Sequence, residues 1–182
     1  PIFLKNLFKK FNLKIWKVDK LNTHGGSLRV YVSKKNSKYK VESSVKKIVN
    51  QETLFGLKKI NTYKKLQYDA KKIKDKLIEF FNKNHDKEIH AYGAAAKGII
   101  LLNYCGITDK EIKYIYDAGK LKINKYIGGP KIKVLQPNKI KNKKIDYMLI
   151  LPWNIKKEIT QYVKKINKKI KFIIAIPKLE VF

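Results

Sequence analysis

Apolar side chains recur along this chain with two different periods, and the change of period divides it. Ile2, Leu4, Leu7, Phe8 and Phe11 fall at helical spacing, and Ile15-Trp16-Lys17-Val18 then reads as a short strand. Thr23-His24-Gly25-Gly26 predicts a turn, because adjacent glycines accept backbone angles that other residues resist. Ser27 to Val32 alternates as a second strand, and Ser33 to Lys40 is a polar loop. From Ser44 to Phe81 the apolar positions, among them Val45, Ile48, Leu54, Ile60, Ala70, Ile73, Leu77 and Phe80, form a helical stripe that Gly56 divides into two helices. Residues 1–84 are therefore expected to form an α+β N-terminal arm.

Residues 85–182 alternate short apolar runs with helical segments. Strands are expected at Glu88–Tyr92, Ile112–Tyr116, Ile132–Leu135, Tyr147–Leu151 and Phe172–Ile176. Between them fall a helix at Ala95–Tyr104, a short one at Pro137–Lys143, and an amphipathic one that Asn154 caps and that runs through Lys168. Such alternation predicts an α/β domain, a mostly parallel sheet with helices on both faces. Right-handed crossovers then bring the loops that follow the strands to one edge, where function is expected.

Composition narrows the class. The 182 residues are 44% hydrophobic, which excludes a disordered basic tail, because such tails lack the apolar surface to offset chain entropy. Basic side chains number 43 against 14 acidic ones, a net charge of +29. That charge raises a nucleic-acid-binding module as one alternative. Arg29 is the sole arginine, however, and the lysines are scattered along the whole chain, which reads as a solvated coat with no specific nucleic acid expected. No run of 18 apolar residues is present, so no membrane partner is expected. The lone Cys105 fits a reducing, cytoplasmic compartment and excludes a cysteine-rich metal set. The chain begins at Pro1 with no initiator methionine and no secretory pattern, and is expected to be a piece of something longer.

The expected edge carries the candidate chemistry. Tyr92-Gly93-Ala94-Ala95-Ala96-Lys97-Gly98 follows a strand and opens a helix, where small residues let an anionic group approach free N–H donors. Lys97 adds positive charge; a tight packing turn is the bland reading of the same residues. The full G-x-G-x-x-G spacing is not met, since Ala95 takes the second glycine's place. Asp117, 24 residues after Gly93, stands at a strand end where an acid can hold a ribose hydroxyl, so a NAD(P)-type oxidoreductase domain is a second alternative. Trp153 and Asn154 follow another strand; a tryptophan there stacks on a base or sugar, or packs in the core. Replacing Gly93 by Val is expected to block the loop and leave the fold largely intact. His24, in the glycine turn, is a weak candidate for a general base. No nucleophile elbow, metal-ligand set or complete catalytic constellation is present.

Three segments in order, Thr23-His24-Gly25-Gly26-Ser27-Leu28-Arg29-Val30-Tyr31-Val32, Ala91-Tyr92-Gly93-Ala94-Ala95-Ala96-Lys97-Gly98 with Leu101-Leu102-Asn103-Tyr104-Cys105-Gly106, and Leu149-Ile150-Leu151-Pro152-Trp153-Asn154, carry a resemblance. Together they resemble the C-terminal domain of the S-adenosylmethionine-dependent sugar C-methyltransferases, and Ile174-Ala175-Ile176-Pro177 fits as well. The resemblance implies that residues 85–182 form a Rossmann-like domain that helps hold a nucleotide-linked deoxysugar. It implies that S-adenosylmethionine, the zinc-binding cysteines and the catalytic His/Glu motif belong to earlier domains absent here, so a methyltransferase domain or subunit is needed in cis or in trans. It places Tyr92, Gly93, Ala94, Ala95, Lys97, Gly98, Asp117, Trp153 and Asn154 beside the substrate, with Thr23, His24, Gly25 and Gly26 contributing from the arm near its junction with the missing domain. The chain departs from the family pattern at Ala95, where relatives usually carry Pro, and at Ala118-Gly119-Lys120, where they carry Arg-Asn-Pro.

Overall fold

The computed structural model describes every residue from Pro1 to Phe182 except the side chain of His24, which lies outside the described residues. The chain divides into two units, Pro1–Tyr68 and Asp69–Phe182. The division falls inside a helix whose later turns are rooted in the core of the second unit.

In the first unit, helix α1 (Ile2–Lys10) leads into strands β1 (Leu13–Leu21) and β2 (Ser27–Lys34), an antiparallel pair. A bulge between Ile15 and Lys17 lets Ile15 and Val18, three residues apart, both face inward. They are buried with Val45 and Ile48 of helix α2 (Ser43–Phe55), and Leu4 and Phe8, one helical turn apart on α1, pack against them. Glycine ends α2 as expected: Gly56 has φ +84° and donates to the Thr53 carbonyl, while Leu57 donates to that of Glu52. Helix α3 (Ile60–Lys83) follows.

The second unit is built on six strands: β3 (Ile89–Tyr92), β4 (Tyr114–Tyr116), β5 (Lys133–Leu135), β6 (Tyr147–Ile150), β7 (Lys171–Ile174) and β8 (Glu180–Val181). Their order across the sheet is β5-β4-β3-β6-β7-β8, with β8 alone antiparallel to its neighbour. Period-two alternation sends successive side chains to opposite faces. Ala91, Leu149 and Ile173 meet Leu77 and Phe81 of α3 and Leu102 and Cys105 of helix α4 (Ala96–Cys105). Met148, Ile150, Phe172 and Ile174 meet Ile159 and Val163 of helix α5 (Lys156–Ile166), with Ile140 from a 3-10 segment at Pro137–Asn142. The expected mostly parallel α/β sheet with helices on both faces, Rossmann-like, is therefore what the chain forms.

Local departures have local causes. The second strand of the sheet starts at Tyr114, not Ile112, because the Ile112 N–H is held in a turn by the Thr108 carbonyl. Asn154 does not cap α5: it sits in a 3-10 turn (Trp153–Ile155), and its side chain accepts from Lys97 instead. Helix α5 stops at Ile166, since Asn167 turns to extended angles. Among the described residues, no helix is long and apolar enough to cross a membrane.

Candidate functional site

Strand order reverses at β3. The chain leaves β3 for β4 and β5 on one side, then returns to β6 and β7 on the other. Loops that leave β3 and β6 therefore diverge, and such switch points leave a crevice at the carboxyl ends of the strands.

The loop after β3 is closed on itself and on its neighbours. Gly93 has φ +89° and donates to the Tyr116 carbonyl at 2.7 Å, Ala94 donates to Asp117 Oδ2 at 2.7 Å, and Ala95 donates to the Gly93 carbonyl at 2.8 Å. A Cβ on Gly93 would stand 2.5 Å from Pro152 Cδ, and one on Gly98 would stand 2.5 Å from Leu151 Cβ. Gly98 is thus the small residue that lets α4 lie close on the end of β6. Where β3 and β6 end side by side, Leu151 donates to the Tyr92 carbonyl at 3.0 Å. Lys97 Nζ donates to Asn154 Oδ1 and lies 4.7 Å from the centre of the Trp153 ring.

Asp117 is engaged on both oxygens: besides Ala94, Gly119 donates to Oδ1 at 2.7 Å and Lys122 pairs with Oδ2 at 3.0 Å. About three of its four acceptor positions are filled from within the protein. Tyr92 ends β3 with its ring edge-on to Tyr162, and burial, with the Tyr162 phenol beside it, pushes its pKa up to about 12. The Tyr92 phenol is therefore neutral near pH 7 and can donate a hydrogen bond but not abstract a proton.

Three expected segments thus converge: residues 92–98, Asp117, and Trp153 with Asn154. They share contacts rather than one hollow. A hollow of about 270 Å³ includes Ile73, Ile100, Leu101, Tyr104, Lys97 and Trp153 in its lining, and another of about 280 Å³ includes Ala94, Lys122, Lys125 and Tyr126. Asp117 lines neither. The N–H groups of Gly93, Ala94 and Ala95 are spent inside the protein, whereas those of Ala96, Lys97 and Gly98 have no acceptor among the described residues. An anion at this edge therefore meets the first turn of α4 and the Lys97 ammonium, not the loop itself. Thr23, Gly25 and Gly26 belong to the first unit, where Gly26 and the Ser27 hydroxyl donate to the Thr23 carbonyl. The candidate base His24 lies outside the described residues in its side chain.

His90 was legible only as one more strand residue, yet it is wholly buried on β3. Its Nε2 is 2.8 Å from Glu88 Oε1 and its Nδ1 is 2.8 Å from the Tyr116 hydroxyl. A carboxylate only accepts, so the neutral ring donates from Nε2 to Glu88 and accepts at Nδ1 the hydrogen bond that the Tyr116 hydroxyl donates. Burial holds its pKa below the ordinary 6.5, against the opposing pull of Glu88, and Lys143 and Lys113 add to the depression. The unfolded chain takes up a proton near pH 6.5 that the fold refuses. Stability is then full above that pH, falls as pH drops below it, and levels off below the depressed folded value. Urea midpoints at about pH 7.5 and about pH 5, either side of the ordinary histidine value, are expected to differ more for the wild type than for His90→Gln; equal differences would remove His90 as the cause.

Strand order and edge geometry together define a Rossmann-like α/β domain whose strand order reverses at β3. The family model for the C-methyltransferase C-terminal domain matches residues 22–177, and this chain belongs to that family. It is similar to the C-methyltransferase NovU of Streptomyces niveus, with 28% identity over 177 residues. The match takes in 96% of this chain and 42% of NovU, so the chain spans less than half of that relative's length.

The family implies S-adenosylmethionine, and the edge does not fit it. An adenosyl group in this fold needs an acid free to hold ribose hydroxyls and a glycine turn open on its outer side. Here the acid is occupied by Ala94, Gly119 and Lys122, and Pro152 fills the space beside Gly93.

Proposed function

We propose that this chain is the substrate-holding C-terminal part of a S-adenosylmethionine-dependent C-methyltransferase acting on a nucleotide-linked deoxysugar, with the methyl donor bound by a domain or subunit outside it. The observation that carries the reading is the Lys97–Trp153–Asn154 cluster beside three open N–H groups at the start of α4. The cation and helix terminus suit a diphosphate, and the aromatic ring suits a base or sugar. Family chemistry removes a proton beside a keto group and passes the methyl group to the resulting carbanion or enolate. In this reading the chain positions the substrate, and the base and the methyl donor come from the other part. Thr23, His24, Gly25 and Gly26 would act near the junction with that part. The occupied Asp117 weighs against a NAD(P)-dependent oxidoreductase. A cytoplasmic setting accords with Cys105, whose buried thiol has its pKa pushed up and is poorly suited to oxidation.

Calorimetric titration of the chain with a nucleoside-diphosphate deoxysugar tests this. Saturable binding is expected, and Lys97→Met is expected to weaken it about tenfold, the cost of one lost charge-assisted contact. No saturable binding, alone or with a methyltransferase part, would sink the proposal; unchanged affinity in Lys97→Met would move the site elsewhere.

A further inference from the structure

The apolar stripe of α3 meets two fates. Leu77 and Phe81 near its end are buried, while Ile60, Tyr63 and Leu66 at its start are 50 to 68% exposed. Leu54 and Phe55 at the end of α2 are more exposed still, at 88 and 71%. Five large apolar side chains thus lie open within thirteen residues. They are held on a fixed elbow, not a loose loop. The Thr62 hydroxyl donates to the Gly56 carbonyl at 2.8 Å and the Tyr63 hydroxyl to the Leu57 carbonyl at 2.7 Å, which locks the α2–α3 connection. An ordered apolar patch of this kind marks an interaction surface.

We propose that the elbow formed by Leu54, Phe55, Ile60, Tyr63 and Leu66 docks the methyltransferase part, on a surface there that is apolar at its centre and acidic at its rim. The charge around the patch selects this occupant. Between Thr53 and Tyr68 the chain carries Lys58, Lys59, Lys64 and Lys65 and no acidic residue. The nearest acid on α2, Glu52, already accepts from the Ile2 N–H at 2.7 Å. A second copy would set these lysines against one another, a repulsive arrangement. Chain length points the same way, because more than half of NovU lies outside the match. This inference rests on the proposed function, since the occupant is the part that reading requires.

The test is a chimera in which this chain replaces the matched segment of NovU, compared with the free chain by hydrogen exchange. Amides of residues 54–66 are expected to exchange about tenfold or more slowly in the chimera, and the double variant Leu54→Glu/Leu66→Glu is expected to lose that protection. The same variant should keep the free chain's melting profile and its nucleotide-sugar affinity. Equal exchange in chimera and free chain overturns the inference. So does elbow protection of the free chain on phosphatidylglycerol vesicles that the chimera does not show, which would mark a lipid-facing patch. If the chimera does not fold, size-exclusion binding of the free chain to the remaining part of NovU decides, with the wild type retained and the variant not. Nucleotide-sugar binding without elbow protection fells this inference alone; protection without sugar binding fells the functional reading alone.

Discussion

Gly93→Val is expected to destabilise the second unit by about 3 kcal/mol or more, through left-handed backbone strain and overpacking acting together. The earlier expectation that this substitution blocks the loop and spares the fold does not survive the geometry. Gly93 holds φ +89°, and its side-chain direction runs into the Pro152 ring at 2.5 Å, where neither backbone nor ring can give way cheaply. Ligand affinity measured in this variant would report unfolding rather than a blocked site. Urea denaturation checks it: a midpoint unchanged from wild type would mean that the Gly93–Pro152 contact yields freely.

Asp117→Ala is expected to cost about 2–3 kcal/mol, and Lys122→Met less than about 1 kcal/mol. The difference follows from who is left without a partner. Removing the carboxylate strands the Ala94 and Gly119 N–H groups, each 2.7 Å from it, and cuts the tie between the loops after β3 and β4. Removing the Lys122 ammonium loses only a half-exposed ion pair. Denaturant midpoints of the two variants, read beside nucleotide-sugar titrations, separate the roles. A ribose ligand would show lost affinity with unchanged stability; the bonds described here require lost stability first.

The elements that sequence reading recovered are those whose apolar period is long or whose punctuation is glycine. The later part of the α3 stripe, with Leu77 and Phe81, and the run Tyr147–Leu151 depend on side chains that have one place to go, and the stop at Gly56 on a left-handed backbone angle that glycine adopts freely. Convergence of residues 92–98 with Trp153 was legible too, because strand–helix alternation with right-handed crossovers leaves the loops few positions. What stayed hidden depends on partners distant in the chain. Nothing near Asn154 shows that Lys97 claims its side chain in place of the α5 N-terminus. Nothing near Asp117 shows that its oxygens are filled by Ala94 and Gly119, so a ligand-binding acid and a loop anchor look alike in sequence. His90 gave no signal because its partners are Glu88, just ahead of its own strand, and Tyr116, on the neighbouring strand and distant in the chain. The two-residue β8 is too short to show any period.

That last strand has a bearing on how the protein behaves when crowded. A parallel sheet ending at β7 would present an outer row of unpaired amides, a template on which another molecule could extend the sheet. Instead Phe182 exchanges two backbone hydrogen bonds with Phe172, at 2.8 and 3.0 Å, and Glu180 sits between Lys156 and Lys178. The new rim is short, reversed in direction and charged, so neighbouring molecules find no register to add to, and the fold guards itself against fibre-like growth on that flank.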